Sequence, residues 1–177
     1  MQSKRIVISG GPSSGKTTII NALEKDGFYC FEEISRELIK ASQKKGIEQP
    51  FLENPEQFNK DLLNARILQF KKANDLKTTV FYDRGVHDVV AYMRYGKHKI
   101  SNMFIEGCNK SKYNQVFLLP PWQKIHVTDN ERYESYEQAN EIYKCIHNAY
   151  ISFGYNVTEV PIGTIAERKS FILKNIV

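Results

Sequence analysis

Residues Gly10-Gly11-Pro12-Ser13-Ser14-Gly15-Lys16-Thr17 complete the pattern G-x-x-x-x-G-K-[ST]. No other stretch narrows so sharply what the chain can fold into. The pattern works only between a buried strand and a helix, and the sequence supplies both. Ile6, Val7 and Ile8 form an apolar run, as expected of a strand covered on both faces. A helical pattern then spans about Gly15 to Asp26 and stops at Gly27, a natural C-terminal cap. The glycines let the backbone turn its N–H groups onto phosphate oxygens, and the helix adds the positive end of its dipole. Lys16 places a point charge on the β and γ phosphates, and the Thr17 hydroxyl can ligate Mg²⁺. Gly10 through Thr18 are therefore expected to cradle a nucleoside triphosphate, ATP, with Mg²⁺.

The rest of the chain alternates strand-length apolar runs with longer segments of helical period. This is the pattern of a doubly wound parallel sheet. Phe28 to Phe31, Thr78 to Tyr82, Gln115 to Leu119 and Tyr155 to Val160 are the further strands. Helices are predicted over about Ile34 to Lys45, Pro55 to Asn74, Val86 to Tyr95, Ile100 to Asn109 and Glu131 to Phe153. The last of these carries Tyr136, Tyr143, Ile146, Tyr150 and Phe153 at helical spacing, a stripe that reads as a core face. Thr164-Ile165-Ala166-Glu167 is a capping box for a final helix. With no repeat, linker or low-complexity tract, residues 1–177 are expected to form one α/β domain.

Composition removes several classes. At 177 residues and 41% hydrophobic content the chain can bury a core of its own. No stretch approaches the roughly 18 apolar residues of a membrane span, and the apolar run after Met1 is too short for a signal peptide. Three cysteines without a C-x-x-C pair fit small core side chains in a reducing compartment, so a cytoplasmic location is expected. The net charge of +5 is spread over scattered lysine pairs such as Lys44-Lys45 and Lys71-Lys72. It suits an anionic small molecule better than nucleic acid, which would call for a basic stripe or arm.

A GTPase would carry N-K-x-D, a transporter ATPase L-S-G-G-Q, and a motor ATPase a strand ending in Asp-Glu; the chain has none of these. The third strand instead ends in Asp83-Arg84-Gly85, in the crevice where such sheets bind ligands. This element resembles the D-R-x or E-R-S element of thymidylate and deoxynucleoside kinases. Asp83 can hold Mg²⁺ through water, and Arg84 can grip an acceptor oxygen bidentately; the plainer reading is a surface ion pair. After the second strand comes Glu33-x-x-Arg36, two side chains able to share one face of a first helical turn. Glu33 is the candidate general base for an acceptor hydroxyl, or else a carboxylate serving the helix dipole. Arg132, entering the helix after Pro120-Pro121-Trp122, is either a lid arginine for the γ phosphate or an exposed cation paired with Glu131 or Glu134.

Taken together, G-G-P-S-S-G-K-T-T (10–18), E-x-x-R-E (33–37), F-Y-D-R-G-V-x-D (81–88), P-P-W (120–122) and V-P-x-G-T-x-x-E-R (160–168) resemble the NadR-like AAA-type P-loop ATPases and kinases. The resemblance implies a three-layer α/β/α P-loop fold with a five-stranded parallel sheet in the kinase-like order 2-3-1-4-5, and ATP binding. It also implies that Pro161-Ile162-Gly163 lies against the adenine ring. Within its 177 residues the chain resembles the bare-domain branch, without adenylyltransferase or DNA-binding parts.

Three functions follow as expectations. The first is a kinase moving the γ phosphoryl of ATP to a hydroxyl on a nucleoside-like small molecule, with Lys16, Mg²⁺ and one or more of Arg36, Arg84 and Arg132 on the equatorial oxygens. The second is an ATPase or nucleotide-dependent switch acting on a protein partner. The third is a binding protein for a phosphorylated metabolite or lipid headgroup.

Overall fold

A computed structural model describes residues 3–127 and 134–177. The order of elements is β1 (Lys4–Gly10), α1 (Lys16–Lys25), β2 (Tyr29–Phe31), α2 (Ile34–Gln43), α3 (Pro50–Glu53), α4 (Pro55–Lys72), β3 (Thr79–Asp83), α5 (Val86–Tyr95), α6 (Asn102–Lys110), β4 (Gln115–Leu119), α7 (Tyr136–Ser152), β5 (Val157–Glu159) and α8 (Ile165–Lys174). All strand pairs are parallel, in the order β2-β3-β1-β4-β5. Each edge strand has only three residues, which limits the unpaired ladder at the sheet edges.

Alternation along β1 decides the layers. Ile6 and Ile8 face one core with Phe81, Phe117 and Leu119, closed by Ile19, Ile20 and Leu23 of α1 and Ile172 of α8. Val7 faces the other core with Tyr82, Val116 and Leu118, closed by side chains of α4, α5, α6 and α7. Successive side chains of a strand point to opposite faces, so a run apolar at every position must be covered twice. The α7 stripe is a core face, with Ile146 and Tyr150 fully buried.

Local signals place most boundaries. Asn54 accepts from Gln57 N at the start of α4, with Pro55 at the first helical position. Ser135 with Gln138, and Thr164 with Glu167, form the capping boxes of α7 and α8. α4 ends at Lys72 and passes into a 3₁₀ turn over Ala73–Asp75, earlier than the helical pattern alone predicts. β5 is correspondingly shorter than its apolar run. Among the described residues no helix is long and apolar enough to cross a membrane.

Candidate active site at the carboxyl edge of the sheet

The phosphate loop leaves β1 and enters α1 with backbone shapes that dictate its glycines. Gly10 has φ 152°, and a Cβ there would lie 2.6 Å from the Leu119 carbonyl oxygen. Gly15 caps α1 in the left-handed region, φ 85°, where a Cβ would meet an Arg168 Nη at 2.9 Å. Ser13, at φ 55°, adopts the same unfavoured region without being glycine. Its hydroxyl donates to the Val127 carbonyl at 2.8 Å. Pro12 is half-buried and Ser14 buried, with the Ser14 hydroxyl donating to Gly11 O at 2.9 Å.

Lys16 lies 7% exposed, and its Nζ donates to Gly11 O at 2.7 Å and to Ser14 Oγ at 3.3 Å. Burial, and then the Arg84 charge, pull this ammonium down to about 7, while Asp83, Glu33 and Asp88 pull the other way. Thr17 and Thr18 are exposed on the first turn of α1. The Thr17 hydroxyl reaches across to β3 and donates to Asp83 Oδ2 at 3.1 Å.

Asp83 is 1% exposed, and its Oδ1 has no hydrogen-bond partner. Burial, then the nearby Glu33 charge, push its carboxyl up. An orphaned buried carboxylate oxygen beside a threonine hydroxyl offers hard oxygen donors, the set that Mg²⁺ prefers. These two residues fit that ion, and water and phosphate oxygens would complete its shell.

Arg84 follows in a left-handed conformation, φ 70°, strained for a side chain of this size. It is held there from several sides. Its N–H donates to Ile8 O at 3.0 Å and its Nη1 to Gly10 O at 3.0 Å. The guanidinium lies over the Tyr92 ring at 5.1 Å and forms an ion pair with Glu33 through Nε. The other Glu33 oxygen accepts from Arg66 at 2.6 Å and from Ser35 N at 3.3 Å, so Glu33 caps α2 while facing two arginines. Burial raises this carboxyl, but Arg66, Arg84 and Lys16 together outweigh it and hold it at about 2.

The structure thus brings Lys16, Thr17, Asp83, Arg84 and Glu33 to one edge. Arg36 stands exposed on the first turn of α2. Arg132 and the preceding Thr128 to Glu131 lie outside the described residues.

Three further residues hold this site together: Arg66 lies outside every motif, while Asp88 and Arg168 close the 81–88 and 160–168 motifs without a role that the sequence assigned. Arg66, 2% exposed, also donates to Asp83 O at 3.3 Å, tying the two carboxylate positions to one helix. Its only signal in the sequence is a cation among Leu63, Ile67 and Phe70 on an apolar face. Asp88 accepts from Ser9 Oγ, from Tyr150 OH at 2.6 Å and from Gly85 N at 2.9 Å, and pairs with Arg84 at 3.4 Å. Arg168, from α8, donates to Ser14 O at 2.9 Å. Two surface cavities, of about 710 and 490 Å³, include no residue of this cluster.

A family model for the AAA domain matches residues 5–168. No curated protein sequence matches the chain significantly. Among solved structures, the chain is similar to deoxyadenosine kinase from M. mycoides with dCMP and dCDP, at 19% identity and TM-score 0.70, covering 96% of this chain and 97% of that one. Thymidylate kinase from Ehrlichia chaffeensis follows at 15% identity and TM-score 0.63, covering 98% of each chain. A NadR protein in complex with NR gives 16% identity and TM-score 0.73, with 97% of this chain lying on 49% of that one. At such identities the likeness shows the architecture, which these kinases share with this chain. The chain belongs to the AAA domain family and has the P-loop kinase fold.

Proposed function

We propose that the protein is a Mg²⁺-ATP-dependent kinase that phosphorylates a hydroxyl of a nucleoside-like small molecule. One observation carries this reading. The Glu33–Arg84 ion pair stands beside the Thr17–Asp83 pair and Lys16, so a group able to take a proton adjoins the groups suited to phosphate and metal.

Gly10 to Thr18 wrap the triphosphate, and Lys16 neutralises its terminal oxygens. Thr17 and Asp83 would hold Mg²⁺, which would supply neutralising charge to the phosphates. Arg84 orients the acceptor oxygen. As that oxygen bonds to the γ phosphorus, the bond from phosphorus to the β–γ bridging oxygen breaks, and the hydroxyl proton passes to Glu33. A carboxyl held at about 2 is a weak base. It suffices where the transition state is loose and the proton leaves late.

The test is a panel of nucleosides, nucleotides and vitamins with Mg²⁺-ATP, scored by ADP formation. One acceptor class should accelerate it. Glu33→Gln should lower that stimulated rate and leave slow basal hydrolysis nearly unchanged, because water still reaches the γ phosphate. Arg84→Lys should weaken acceptor binding, since an ammonium lacks the planar two-toothed grip.

A second reading, an ATPase or switch acting on a protein partner, draws on the AAA domain match and on the closure of Glu33 and Arg84 upon each other. It requires that no small molecule stimulate turnover and that a protein bind only the ATP form.

A further inference from the structure

Among the described residues, Arg168 is a buried cation without a counter-charge. It is 3% exposed on the first turn of α8, and its Nε has no hydrogen-bond partner. Among the described residues no carboxylate pairs with it. The adjacent Glu167 is spent on the Thr164 capping box, accepting from the Thr164 N–H and hydroxyl at 2.8 Å each. Burial pulls the guanidinium down, and no acid among the described residues opposes it. A charge taken out of water in this way is costly unless a partner arrives.

The direction of its side-chain hydrogen bond shows where a partner would come from. Nη2 donates to the Ser14 carbonyl, and the other Nη stands against Gly15, inside the phosphate loop. No peptide bond among the described residues is cis. In a trans peptide the N–H points opposite to the C=O. Drawing the Ser14 carbonyl toward α8 therefore turns the Gly15 N–H away from α8, and the cationic donor polarises that peptide toward stronger donation.

We propose that Arg168 is the positioning residue of the phosphate loop: it sets the Ser14–Gly15 peptide for phosphate, and the polyphosphate of the bound nucleotide is the anion its buried charge lacks. The inference rests on the nucleotide-binding reading above and adds to it a residue outside the G-x-x-x-x-G-K-[ST] motif.

The experiment uses the full chain and three probes, Mg²⁺-ATP, Mg²⁺-tripolyphosphate and adenosine, with binding followed by calorimetry or by competition. Arg168→Met should weaken ATP and tripolyphosphate by the same factor, at least about tenfold, and leave adenosine unchanged. Its ligand-free melting temperature should stay level or rise, because an uncompensated buried cation is gone. Arg168→Lys should recover part of the affinity through charge, without the directed Nη2 bond. A fall in melting temperature with all three probes weakened alike would make Arg168 a packing residue and overturn the proposal. Loss of ATP and adenosine with tripolyphosphate unaffected would overturn it too, by placing Arg168 with the base. Should Arg168→Met not fold, Arg168→Lys decides by the same comparison of probes. Failure of the unsubstituted protein to bind Mg²⁺-ATP would refute the nucleotide reading itself, and equal ATP affinity in wild type and Arg168→Met only the role of Arg168.

Discussion

The Thr17 hydroxyl donates to Asp83 Oδ2 at 3.1 Å, while Asp83 Oδ1 lies buried without a partner. One residue comes from the first turn after the phosphate loop, the other from the end of β3, 66 positions away. Pairing β1 with β3 in register, Ile8 opposite Asp83, is what makes them neighbours. Replacing Asp83 by Asn keeps the shape and removes the charge. We expect kcat to fall by at least about a hundredfold with little change in nucleotide affinity.

The same substitution has a signature in stability. Burial and Glu33 raise Asp83 above its ordinary value, so above the ordinary carboxylate range its charge opposes folding. Asp83→Asn should therefore melt no lower than wild type at pH 7.5 without nucleotide. A clear drop in scanning calorimetry would show that the carboxylate stabilises the fold.

Lys16 sits near 7, so above neutral pH much of it is uncharged until phosphate arrives. Nucleotide binding at pH 8 should then take up close to one proton, roughly 0.5 to 1. Calorimetry in two buffers of different ionisation enthalpy measures it directly. Lys16→Arg, always protonated, should show no uptake, and Lys16→Ala should lose productive turnover while remaining folded.

Arg66 and Arg84 hold Glu33 ionised down to about 2. The acceptor-stimulated rate should accordingly have no acid limb from Glu33 above about pH 4. Arg66→Met removes one of the two cations, so the carboxyl rises and a limb should enter the pH–kcat/KM profile. Stability should drop by about 3 kcal/mol, as when a buried pair loses one member. An unmoved profile in a folded variant would detach Arg66 from the chemistry.

His87 is fully buried among Tyr113, Tyr150, Phe153 and Tyr155, with ring centroids 4.9–5.9 Å away and neither nitrogen hydrogen-bonded. Burial lowers it to about 3, against an ordinary value of 6.5. Its contribution to stability is complete above pH 6.5 and drains away as the pH falls toward 3, because only the unfolded chain accepts the proton. Between pH 7 and 4.5 the wild type should lose up to about 2.5 kcal/mol more than His87→Leu. Urea midpoints at the two pH values measure the difference, and parallel losses would exclude His87 as the group responsible.

The phosphate loop, the strands and the α/β class were legible because each is written locally. A strand covered on both faces must be apolar throughout, and a phosphate turn must carry glycine where φ is positive, as at Gly15. The α7 stripe and the Thr164–Glu167 capping box of α8 follow from helical period and short-range hydrogen bonding in the same way. Asp83 and Arg84 stood out by their place at the end of a strand.

Only the tertiary structure decided what those residues meet. Glu33 and Arg36 share a turn in sequence, yet the Glu33 carboxylate faces Arg66 from α4 and Arg84 from the turn after β3, because β2 lies beside β3. Arg66 reads as an interruption of an apolar face, and Arg168 as the last position of the 160–168 motif, without a role. Their roles arise from burial, which raises the cost of a charge and so selects what may stand beside it. Burial is a property of the packed chain as a whole, and no window of sequence contains it.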